Sequence, residues 1–251
     1  MVVHIANVLT YLLGVTILVR GGEGRFLSRL SFFFSYLTYF LVTGLVGLLV
    51  FQVAPQYFPA FFWFRFFTLV LAEFALLVEI GDHLFTAYPA LRALGRLVTF
   101  GITGIFLVLY ILPSLLEARP SDVAVLDLVK RSALTKVVII VVLFAVARYY
   151  RISLGRNVGG IALGLAIYLA IHTANFALAE HYGRVVYGSI FGVVGPLSQV
   201  VSLMIWAFAL WRYEPAEQPK AGLAVAGGVP GAILTDQLGR YNAALDRLLR
   251  K

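Results

Sequence analysis

Apolar and polar positions alternate along this chain on a long wavelength. Runs of about 20 mostly apolar residues, the length that crosses a bilayer as a helix, are separated by short polar stretches. Seven runs qualify, at 2–19, 30–53, 59–80, 97–116, 127–147, 157–180 and 188–211. Between them lie "RGGEGRFLSR", "APQYF", "GDHLFTAYPALRALGR", "EARPSDVAVL", "RYYRISLGR" and "HYGRVVY". The pattern predicts an all-α, polytopic seven-helix transmembrane bundle over 1–213. A Pro/Gly/Ala-rich stretch, "EPAEQPKAGLAVAGGVPGA", reads as a flexible linker over 214–234. In the last segment, 235–251, Leu238, Tyr241, Leu245 and Leu248 recur at helical spacing, with Arg240, Arg247 and Arg250 off that stripe. This predicts a short basic amphipathic helix, with Thr235 or Asp236 as its cap. Three readings of it stay open: a frayed tail, a helix lying on an anionic leaflet, and a docking helix for another membrane or cytoplasmic protein.

Composition agrees with the lipid-facing reading. Of 251 residues 61% are hydrophobic and 13% charged, against about 45–50% and about 25% in soluble domains. The net charge of +8 points away from nucleic acid once the lysines and arginines are placed. With the N-terminus outside, 14 of the 20 fall in inner loops and the tail, including Arg20, Arg92, Arg96, Arg148 and Arg156. Only Arg119, Lys130, Arg131 and Arg184 fall outside, and Arg65 and Lys136 lie within spans. The positive-inside bias therefore sets the N-terminus outside and the C-terminus in the cytoplasm. The first run is followed rather than preceded by positive charge, so it is expected to be a retained helix and not a signal peptide. There is no cysteine, which removes disulfides, thiolate metal sites and cysteine nucleophiles.

Charges inside spans carry the functional question, because intramembrane ionisable groups are expensive and usually face the bundle interior. Glu79 and Asp82 fall at the inner boundary, within reach of water or of Arg92 and Arg96, and read as structural. Glu73 and Arg65 lie deeper. Eight residues apart, they are separated by about 12 Å along the axis and about 80° around it, so each needs a partner on another helix. Lys136 falls near mid-membrane and is the expected partner of Glu73. His172, Asn175 and Gln199 fall at neighbouring depths, and Pro196 is expected to kink or loosen the last span. Arg65, Glu73, Lys136, His172, Asn175 and Gln199 are thus the candidate ligand or ion site, with an internal packing network as the alternative. Gly160 and Gly164 form a GxxxG, which permits close helix contact.

Several familiar chemistries do not fit. Retinal would need a Schiff-base lysine in the seventh span, which has none. Haem would need two histidines at matching depth within the membrane, and His4, His83, His172 and His181 do not provide them. No HExxH, GxxxxGK[ST] or GxSxG occurs. Pro55–Gln56 is a lone PQ dipeptide without the second copy of a PQ-loop transporter.

The segments "FWFRFFTLVLAEFALLVEIGDHLF", "YPALRALGR", "LVKRSALTKVVIIVVLF" and "RNVGGIALGLAIYLAI" resemble an uncharacterised family of bacterial seven-helix proteins. The resemblance implies a bacterial inner-membrane location and a recurring position for Glu73, and no activity. Three functions are expected from the residues: a non-enzymatic receptor-like or scaffold component, a small transporter or channel, or a membrane enzyme acting on lipid near Glu79, Asp82 and His83. The tail is too short for a kinase or cyclase output domain, so signalling would require a partner chain.

Overall fold

The computed structural model describes residues 2–23, 27, 29–86, 88–112, 122–150, 152, 154–182, 184–211 and 239–241. The described chain is helical, with no strand among the described residues. Seven long helices follow one another: α1 (Val2–Glu23), α2 (Ser31–Val53), α3 (Phe58–Leu84), α4 (Pro89–Phe106), α5 (Asp122–Tyr149), α6 (Arg156–Tyr182) and α7 (Arg184–Leu210). A 3-10 turn, Pro55–Tyr57, joins α2 to α3. After Phe106, α4 continues through one wider turn, Leu107–Ile111. All seven are long and apolar enough to span a membrane.

Sequence and structure differ most at α4. The stretch expected as a loop before position 97 is mostly helix. α3 continues to Leu84, and Pro89 opens α4, where its fixed φ suits the first turn and its missing N–H costs nothing. Arg92 and Arg96 therefore stand on the first turns of α4. Both reach Asp82 at the end of α3 (Arg92 Nε–Oδ1 3.1 Å, Arg96 Nε–Oδ1 2.6 Å), so this corner is stapled by charge. Pro196 leaves α7 helical on both sides of it.

The chain ends of the helices meet at two faces. At one, Arg20 donates to the Trp211 carbonyl, His83 bonds the Arg29 carbonyl (2.6 Å), and Asn157 donates to the Ala209 carbonyl (2.7 Å). This face also carries Arg92, Arg96, Arg148 and Arg156, and is called the basic face below. The opposite face carries the α2–α3 turn.

The outward surface is apolar: Leu12, Val19, Leu49, Leu97, Val141 and Phe208 are each more than half exposed. Inward, Phe33, Leu37, Leu76, Leu77, Ile139, Leu165, Leu203 and Trp206 are closed off completely or nearly so. α3 is central and touches α2, α4, α5 and α6. The α6–α7 pair is the most extensive contact, and the GxxxG explains it. A side chain at Gly160 would collide with Ala209, and one at Gly164 with the Trp206 indole. Close approach lets Ser202 donate to the Gly164 carbonyl (2.8 Å) and Trp206 Nε1 to the Ile161 carbonyl (3.0 Å). The Trp206 ring then meets Phe33 edge-on at 5.2 Å, tying this pair to α2.

Candidate functional site

Glu73 sits near the middle of α3, the helix with most neighbours, and Lys136 at the midpoint of α5. Lys136 Nζ donates to Glu73 Oε2 as a buried ion pair. Lys136 is 3% exposed and Glu73 8%. Membrane depth alone predicts the partnership. Tyr36 on α2 and Phe74, beside Glu73 on α3, complete it. The Tyr36 hydroxyl of α2 approaches Glu73 Oε1 at 3.5 Å, and the Lys136 ammonium lies 5.6 Å from the Phe74 ring centre. The pair thus ties α3 to α5, and Tyr36 brings in α2.

The other four candidates do not join this bond. Arg65 donates from Nε to Thr43 Oγ1 (3.1 Å), and its guanidinium carbon lies 5.5 Å from the Phe40 ring centre. His172 packs its ring against Tyr168, one turn earlier on α6, with centroids 4.2 Å apart. Asn175 is buried, and its amide nitrogen makes no hydrogen bond within the protein. Ser132, one turn from Lys136 on α5, is buried with its hydroxyl in the same condition. Gln199 is buried on α7 without a bond to Glu73 or Lys136. The six residues therefore make one ion pair and several separate polar contacts, not a single hydrogen-bonded cluster.

Glu79 is structural, as expected, but through backbone amides and not through arginine. It does not meet Arg92 or Arg96. Its two carboxylate oxygens accept the backbone N–H groups of Phe32 (2.9 Å) and Phe33 (2.8 Å). These are free donors in the first turn of α2. Ser, Thr, Asp or Asn at the cap position would normally satisfy one of them, but Leu30 stands there and offers no side-chain acceptor. Glu79 is a cap supplied by another helix, and its charge also complements the helix dipole. The missing local cap at Leu30 is the sequence signal that could have found it. Tyr36, Thr43 and Tyr11, which face the charged residues, carry no such signal beyond being polar atoms inside apolar runs.

No three His, Asp or Glu side chains gather as a metal site would require among the described residues. Tyr241 is exposed in a short helical stretch with Gly239 and Arg240. Leu238, Leu245 and Leu248, with the 214–234 linker, lie outside the described residues. Comparison with protein-family models, curated proteins and solved structures finds no match. What the residues themselves establish is a multi-pass membrane protein, an all-α bundle of seven apolar helices around a buried glutamate–lysine pair.

Proposed function

We propose that this protein is a non-enzymatic, receptor-like or scaffold component of a bacterial inner membrane, with its N-terminus outside and its C-terminus in the cytoplasm. The observation that carries the reading is the Glu73–Lys136 pair. Each group neutralises the other at the bundle centre, between α3 and α5, with Tyr36 and Phe74 packed around it. A transported ion needs a carboxylate that water can reach and that changes partners, whereas a mutually satisfied pair fixes helix packing. The orientation rests on the basic face and the positive-inside bias, the bacterial location on the sequence resemblance. The tail, through Leu238, Tyr241, Leu245 and Leu248, would engage the anionic leaflet or a partner protein.

A small transporter is the second reading. Pro196 in the middle of α7 favours it: the helix runs on through the proline, which leaves one backbone carbonyl without its intrahelical donor. Proteoliposomes enclosing a pH-sensitive dye separate the two. Under an imposed proton or sodium gradient, wild-type vesicles should match protein-free ones. A faster flux that Glu73→Gln abolishes would overturn the receptor-like reading in favour of transport.

A further inference from the structure

Glu73 and Lys136 cancel, but a second intramembrane cation has no counter-charge. Among the described residues Arg65 makes no salt bridge, and its one hydrogen bond within the protein is Nε to Thr43. The terminal guanidinium nitrogens make no hydrogen bond among the described residues. Thr43 is itself fixed, because its hydroxyl donates to the Tyr39 carbonyl (2.7 Å). The Nε bond and the Phe40 ring therefore hold the guanidinium in one place.

That place is deep. Arg65 lies about 10 Å along α3 from Phe58, while Thr43 and Gly44 lie about 13–15 Å along α2 from Val53. The side chain therefore reaches toward the midplane instead of snorkelling to the near face, as a lone membrane arginine usually does. Tyr11 lies at a similar depth on α1, about 13 Å from Val2. The Tyr11 hydroxyl makes no hydrogen bond among the described residues. Gly44 brings these two donors together. A methyl group there would stand 2.5 Å from the Tyr11 oxygen and 3.7 Å from Arg65 Nη2, so the glycine lets the Tyr11 hydroxyl seat against α2 beside the guanidinium. Arg65, Tyr11 and Gly44 are half-buried, and one turn away Val8, Val15, Leu48 and Phe62 are exposed and apolar.

We propose that Arg65 and Tyr11, over the floor provided by Gly44 and with Thr43 positioning the guanidinium, bind the carboxylate of an acidic amphiphile whose apolar body lies along the seam of α1, α2 and α3. The guanidinium edge matches a carboxylate's two oxygens, and one monoanion balances the charge of Arg65. The depth selects against a phospholipid phosphodiester, which is held at the headgroup level about 15 Å from the midplane. A carboxylic acid can enter hydrocarbon as the neutral acid and ionise beside Arg65, releasing its proton to water. This inference gives the receptor-like reading its ligand class and rests on that reading.

Radiolabelled dodecanoate, with the full chain in phosphatidylcholine nanodiscs, is the test. Saturable binding near one per chain, above empty discs, is expected. Unlabelled dodecanoate should compete and dodecanol should not. Arg65→Gln should weaken binding by about 10-fold or more through loss of a charge-assisted contact. Tyr11→Phe should weaken it less, and Gly44→Ala should weaken it by pushing the Tyr11 hydroxyl away from the guanidinium. Tyr11→Phe removes one half-buried hydroxyl, so it keeps the test decisive if Arg65→Gln does not fold. Equal competition by dodecanol, or unchanged binding in both Tyr11→Phe and Gly44→Ala, would sink the proposal. So would displacement by phosphatidylglycerol discs but not by dodecanoate, which marks a headgroup site, or equal affinity for propionate, which marks a small-anion site. Flux through Glu73 in the vesicle assay would remove the receptor-like reading whatever dodecanoate does. Absence of both flux and saturable binding would remove this inference alone.

Discussion

Replacing Glu73 with glutamine leaves the Lys136 ammonium at the midpoint of α5, 3% exposed, without its counter-charge. Its remaining neighbour is the Phe74 ring at 5.6 Å, worth about 0.5–2 kcal/mol as a cation–π contact, which does not offset a stranded charge. Lys136→Met creates the mirror problem, since Glu73 keeps only the Tyr36 hydroxyl at 3.5 Å, the long end of hydrogen-bond range. Breaking a buried pair from one side costs about 3–5 kcal/mol. The double variant strands no charge and leaves an imperfectly satisfied amide, so it should cost about 1–3 kcal/mol. The two singles together then exceed the double by several kcal/mol. Unfolding in mixed micelles followed by circular dichroism measures all four corners of the cycle. On the scale of about 2–4 °C per kcal/mol for a chain of this size, each single should lower the midpoint by about 6–20 °C. Swapping the charges, Glu73→Lys with Lys136→Glu, should recover part of the loss. Additivity of the singles within about 0.5 kcal/mol would refute the pairing and leave Glu73 with another partner.

Glu79→Ala should uncap α2 and cost about 2–3 kcal/mol, because hydrogen bonds to a charged group are the stronger kind. Hydrogen exchange should then show lost protection at the Phe32 and Phe33 amides first, and unchanged protection there would exclude the cap. Gly164→Ala should force the Trp206 indole aside at a cost of about 1–3 kcal/mol and shift tryptophan emission, whereas Gly101→Ala, with open space around it, should do neither. A reporter active only in the cytoplasm should work when fused after Lys251 and be silent at Gln56. The reverse would overturn the orientation.

What a single span does not encode is which way its neighbours turn. Depth along a helix can be counted, and it brings Arg65, His172, Asn175 and Gln199 to neighbouring levels. Depth says nothing about which way a neighbouring helix turns its face. Depth puts Glu79 and Asp82 alike within reach of water or of Arg92 and Arg96, and Asp82 takes both arginines. Glu79 turns instead to α2, 46 residues before it in the chain. The start of α4 was placed late because Arg92 and Arg96 interrupt the apolar run, although they are good helix formers and Pro89 is a good first-turn residue.

By itself the sequence determined the class, the number of spans and the Glu73–Lys136 pairing. Hydrocarbon admits only helices or closed barrels, whose backbone bonds are satisfied internally, so apolar runs of helix-spanning length can be counted. Two lone opposite charges at similar depth have few alternatives to each other. Tertiary structure alone decided which polar atoms meet. Gly160 and Gly164 seat Trp206 and Ala209 because those helices cross there, and Glu79 caps α2 because Leu30 cannot. Arg65 faces Tyr11 across Gly44 because α1, α2 and α3 converge at that depth. Contacts of this kind depend on helix rotation and crossing, which arise from packing the whole bundle and which no single span encodes.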